Sequence, residues 1–167
     1  MKRIFFILIG SFLLAGFTWS ENLLVNGDFS KGSKGWKFKN KQGAGQGYAT
    51  NGMVVLSLGK EDGEQKVYQD LTVKPGATYQ LKASFKTEGK PGLYVFFYVA
   101  KEEGKWETSP IQGPVLKSAD WKEMTYVLNN KDAVKIRVDF RVRDPEAAAS
   151  IKAVSFAESG ASTSAAE

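Results

Sequence analysis

The sequence predicts an all-β fold, a two-sheet antiparallel β-sandwich, and three observations carry that prediction. Short runs alternate apolar and polar residues with the period of two that a half-buried strand needs. Gly, Pro, Asn and Asp separate the runs where turns require them. Beyond residue 20 no stretch holds a sustained amphipathic helical period, so eight or nine short strands must bury one another.

The first 20 residues stand apart. Lys2 and Arg3 are followed by the apolar run Ile4 to Phe17 and by Thr18-Trp19-Ser20, which reads as a secretory signal cut before Glu21. The run is shorter than the ~20 residues of a membrane span, so no membrane contact is expected in the mature form, which is secreted or periplasmic. The expected organisation is a signal peptide at 1–20, a single β-sandwich domain at 21–157 and a disordered Ser/Ala-rich tail at 158–167.

Taken in order, Asn22 to Asn26 reads as a first strand and Asn26-Gly27-Asp28 as its closing turn. Phe29 and Trp36 bracket a polar loop and are expected to turn inward. Residues 37–52, with Gly43, Gly45, Gly47 and Gly52, read as a flexible surface connection in which Tyr48 is the one aromatic that can overhang a binding face. Met53 to Leu58 and Val67 to Val73 are strands. Pro75-Gly76 suits a type II turn. Tyr79, Leu81, Ala83 and Phe85 form an inward face.

The run Leu93 to Ala100 is the most informative. Leu93, Val95, Phe97 and Val99 make one face, and Tyr94, Phe96 and Tyr98 make the other. Antiparallel sheets usually keep one side wet. A second apolar side is therefore either covered by a loop or used as an aromatic platform, and its two hydroxyls favour the platform. Residues 108–118 read as an irregular loop. Trp121, Met124, Tyr126 and Leu128 read as inward positions of a strand. Ile136, Val138, Phe140 and Val142 point inward on the next strand, with Arg137, Asp139, Arg141 and Arg143 opposite them. Ala147 to Ser150 reads as one helical turn before a last strand at Ile151 to Phe156.

Composition narrows the chemistry. The 167 residues include no His and no Cys, which removes the commonest bases, nucleophiles and soft metal ligands, and also disulfides. The acidic residues sit mostly in turns, as at Glu61-Asp62, Glu102-Glu103, Asp144 and Glu146. Asp139 lies mid-strand between arginines, which suits an ion-pair partner better than an acid catalyst. No enzyme is expected. A formal charge of +5, without a concentrated basic stripe, does not point to nucleic acid.

The run Asn22-Leu23-Leu24, Asn26-Gly27-Asp28-Phe29 and Gly35-Trp36, then Val67-Tyr68-Gln69 and Val73 to Leu81, then Asp120-Trp121, resembles the galactose-binding-like jelly rolls. Among these it is similar to the carbohydrate-binding modules of families four, nine, sixteen and twenty-two. The resemblance implies a concave glycan groove with Tyr94, Phe96 and Tyr98 as platform and Arg137, Asp139 and Arg141 as polar contacts. It also implies Trp106 over one end and Trp36 and Trp121 in the core. The implied partner is a polysaccharide or oligosaccharide, and the arginines suggest an acidic one. The alternative is an envelope adaptor that uses the same face to hold another envelope or secreted protein. Relatives of this kind often carry a structural calcium. Here Ser30 and Lys152-Ala153 stand where acidic ligands would, so no cofactor is expected.

Overall fold

A computed structural model describes residues 21–41, 45–60, 63–89 and 92–159. Residues 1–20, expected to be a signal peptide, lie outside these residues. The described residues form eleven strands: β1 (Lys37–Lys41), β2 (Gly45–Thr50), β3 (Met53–Leu58), β4 (Glu64–Thr72), β5 (Thr78–Glu88), β6 (Leu93–Glu102), β7 (Lys105–Trp106), β8 (Ile111–Leu116), β9 (Lys122–Asn129), β10 (Lys135–Val142) and β11 (Ala148–Glu158). They make two antiparallel sheets. The first runs β1-β4-β10-β6-β7, with β8 also paired to β6, and the second runs β2-β3-β11-β5-β9.

The core lies between the sheets and is built from the alternating sets read in the sequence. Leu93, Val95 and Phe97 of β6 and Ile136, Val138, Phe140 and Val142 of β10 face Leu81, Ala83 and Phe85 of β5 and Ile151 and Phe156 of β11, all buried. Val99 is only partly buried against this core. Phe29 and Trp36 do turn inward and pack at 5.1 Å between ring centroids.

Several expectations are corrected. Asn22 to Asn26 is not a strand. Its backbone groups are met by side chains and one carbonyl. Leu23 N donates to Phe156 O, Leu24 N to Asn22 Oδ1, and the Gln69 amide both accepts from Val25 N and donates to Val25 O. The segment is thus tied down without a strand neighbour. Residues 37–41 and 45–50 form β1 and β2 and not a loose connection; residues 42–44 lie outside the described set. β8 replaces the expected irregular loop. Ala148 to Ser150 opens β11, so there is no helical turn. Glu158 closes β11, and Ser159 N donates to Thr78 O at 2.9 Å, so these two residues of the expected tail belong to the sandwich, while residues 160–167 lie outside the described set.

Trp121 is also corrected. It is 37% exposed on the outer side of the second sheet, with Lys152 Nζ 4.0 Å and Lys86 Nζ 5.9 Å from its ring centroid. It precedes β9, where the alternation that buries Met124 and Leu128 has not yet begun.

The opening motif works by close approach. β11 is irregular between Lys152 and Ser155, with Ala153 at φ 50°, and there Val154 N donates to Gly27 O at 2.8 Å. A Cβ on Gly27 would collide with the Val154 carbonyl oxygen. Gly27→Ala is therefore expected to cost about 1–3 kcal/mol, read as a lower urea midpoint. A parent-like midpoint would contradict this docking.

Candidate functional site

Alternation along the first sheet puts one set of side chains away from the core. From β4 these are Lys66, Tyr68 and Asp70, from β10 Arg137, Asp139 and Arg141, and from β6 Tyr94, Phe96 and Tyr98. The registers align them in rows: Lys66, Arg141, Tyr94; Tyr68, Asp139, Phe96; Asp70, Arg137, Tyr98. Trp106 joins through β7, opposite Ala100. Seven of the residues singled out in the sequence thus share one face. Tyr48 does not. It is 48% exposed on β2, in the second sheet.

The centre of the face is a buried ion pair. Arg141 donates from Nε and Nη2 to the two Asp139 oxygens at 2.8 and 2.7 Å. It also donates from Nη1 to Glu64 at 2.8 Å and from Nη2 to the Tyr98 hydroxyl at 3.1 Å. Four of the five N–H groups of a guanidinium are thereby engaged. Asp139 is 0% and Arg141 2% exposed, so neither is the outward ligand contact that alternation alone suggests. The guanidinium lies 4.4 Å from the centroid of Phe96, which Arg143 also covers at 4.7 Å. Phe96 is 4% exposed and supports the platform from below.

These groups hold one another's charge. Burial works against the Arg141 charge, but Asp139 and Glu64 outweigh it and raise its pKa. Burial also works to raise Glu64, yet Arg141 and Lys66 prevail and hold it below its ordinary value. For Asp139 burial is the larger effect and raises its pKa against the pull of Arg141.

Around this centre lie rings that remain accessible. Arg137 is held by Asp70 at 2.6 and 3.2 Å, and its guanidinium carbon lies 4.2 Å from the Tyr68 centroid and 4.7 Å from that of Trp106. Tyr94 donates its hydroxyl to Asp144 at 3.1 Å and stacks near Phe96 at 6.5 Å. Tyr68, Tyr94, Tyr98 and Trp106 are all only partly buried. Tyr68, Glu64 and Asp70 were not singled out in the sequence. The signal was available: Val67, Gln69 and Leu71 alternate inward, which puts their even-numbered neighbours on the face.

The side chains present do not suit a calcium ion. Asp28 Oδ1 already accepts from Ser30 N and Oγ, Lys152 is a cation, and among the described residues no three acidic groups gather.

The β-sandwich thus spreads ordered rings and fixed guanidinium groups over one sheet face. Residues 21–147 match the model of the family described as "Carbohydrate binding domain" (CBM_4_9), and the chain belongs to that family. No curated protein sequence matches it. Among solved structures it is similar to a CBM4 module (TM-score 0.65, 14% identity, 81% of this chain and 99% of that one). It is also similar to the N-terminal cellulose-binding domain of Cellulomonas fimi β-1,4-glucanase C (TM-score 0.60, 10% identity, 83% and 98%). The enzymatically active domain of bacteriophage CBA120 tailspike protein 4 matches too (TM-score 0.68, 16% identity), over 83% of this chain and only 21% of that one.

Breaking the central pair should be costly because it strands a buried charge. Asp139→Asn is expected to lower stability by about 3–5 kcal/mol in urea unfolding. A change under about 1 kcal/mol would show that the pair does not hold the face together.

Proposed function

We propose that this chain is a non-catalytic module of an exported protein and binds an extended polysaccharide along the outer face of the first sheet. The observation that carries the reading is the set of accessible rings, Tyr68, Tyr94, Tyr98 and Trp106, fixed in place by buried or stacked guanidinium groups. Sugar rings offer flat C–H faces that pack on aromatic surfaces, and hydroxyls that bond to polar groups at the edges. Membership of the carbohydrate-binding family and the likeness to a cellulose-binding domain support the same ligand class. Arg137 keeps Nη1 beyond its two bonds to Asp70, which suits a sugar hydroxyl. The β1 lysines, Lys37, Lys39 and Lys41, bring an excess of cations to the edge of this face, which favours an acidic polysaccharide. Pre-formed rings spare the ligand the cost of ordering them.

Export through residues 1–20 is part of the proposal, and so is a secreted or periplasmic location. Trp121 provides an internal control, being exposed on the opposite sheet. In calorimetry against a polysaccharide the parent binds, Tyr94→Ala and Trp106→Ala are each expected to weaken affinity roughly tenfold, with Trp121→Ala unchanged. Parent-like affinity in both platform variants, with folded proteins, would put the site elsewhere. A parent that binds no glycan but retains a protein partner through these same residues would support the adaptor reading instead.

A further inference from the structure

The charge on the face is unevenly distributed. Arg137 is paired with Asp70, and Arg141 with Asp139 and Glu64. Those arginines are neutralised where they stand. At the β1 edge the balance changes. A cleft of about 430 Å³ opens there, walled by Lys39 and Lys41 of β1, Lys66, Arg143 and Tyr98. Glu64 is the one carboxylate in its wall, and it already accepts from Arg141 and Arg143 and pairs with Lys66 at 3.3 Å.

Lys39 and Lys41 have no carboxylate partner among the described residues. Lys39 lies directly opposite Lys66, and Lys66 directly opposite Arg141, so three cations cross three strands in one row. Like charges directly opposite destabilise a sheet. Asp139 and Glu64 relieve two of the three, and among the described residues no carboxylate compensates the Lys39 end. Arg143 is stacked 4.7 Å from the Phe96 centroid and uses only Nε on Glu64, which leaves its terminal nitrogens turned to other acceptors. The row is therefore short of one negative charge, beside the platform tyrosine Tyr98.

We infer that this cleft is an anion subsite, in which Lys39, Lys41 and Arg143 take the carboxylate or sulfate of an acidic sugar whose chain continues over Tyr98. The inference rests on the glycan reading and deepens it. Acidic selectivity then belongs to the β1 edge and not to the arginines of β10.

The test is calorimetry at low salt with a uronic-acid polymer and a sulfated polymer, each beside its neutral counterpart, and inorganic sulfate as a small-ion control. The parent is expected to bind one of the acidic polymers at least about tenfold more tightly than its neutral counterpart, and which one separates carboxylate from sulfate. Lys39→Ala/Lys41→Ala removes exposed, like-charged neighbours and should stay folded, as a melting curve checks. It should lose that excess and keep the neutral binding. Raising salt should erase the excess in the parent, because exposed charges are screened within ~10 Å at 0.1 M. Equal affinity for acidic and neutral polymers, or an excess that survives in the double variant, overturns the subsite alone. Failure to bind any glycan overturns the glycan reading and the subsite with it.

Discussion

The Asp139–Arg141 pair is the interaction on which the face depends. A charged pair with almost no solvent contact is tolerated only where its hydrogen bonds are nearly complete, because desolvation offsets much of the Coulombic gain. Here the completion is structural. Arg141 reaches across β10 to Asp139, to Glu64 on β4 and to Tyr98 on β6, so one side chain ties three strands together on their outer side. The ring of Phe96 closes the space beside it. Satisfying the pair therefore fixes the tyrosine hydroxyl and the strand spacing together, and the surface above inherits that rigidity.

The same economy divides the surface into regions of different chemistry. Where carboxylates face arginines, at Asp70 and Asp139, the charges cancel and the rings beside them dominate. Along β1 the lysines outnumber the acids and the surface is positive. A single sheet face thus offers stacking surface in one place and unbalanced charge in another. Neither feature follows from net charge, which is modest for the whole chain. Both follow from which strands are neighbours.

Much of the fold was legible in the sequence because alternation is local. The inward sets of β5, β6 and β10 can be read one residue at a time, and they are buried as read except for Val99, which is only partly buried. Neighbour relations are not local. β10 lies between β4 and β6, and Arg137 meets Asp70 from 67 positions away. Alternation put Asp139 and Arg141 off the core face, but only the pairing shows that they bury each other. Asn22 to Asn26 misled for a related reason: its alternation is that of a strand, while its hydrogen bonds go to side chains and to Phe156. β2 was hidden by its glycines, and β1 by the polar residues around its single apolar Phe38. Gly47 is small because an added Cβ would strike Gln65 and Phe38, a contact between sheets that no local pattern reveals.

Among the described residues two tryptophans are accessible, one on each sheet, and they allow the central claim to be tested without altering the protein. Trp106 lies against Arg137 on the first sheet, and Trp121 lies against Lys152 on the second. Indole N–H signals can be followed by nuclear magnetic resonance while a polysaccharide is titrated into labelled protein. The account predicts a saturable shift of the Trp106 indole with the Trp121 indole unmoved. A shift confined to Trp121, or saturable binding that leaves Trp106 unmoved, would contradict it.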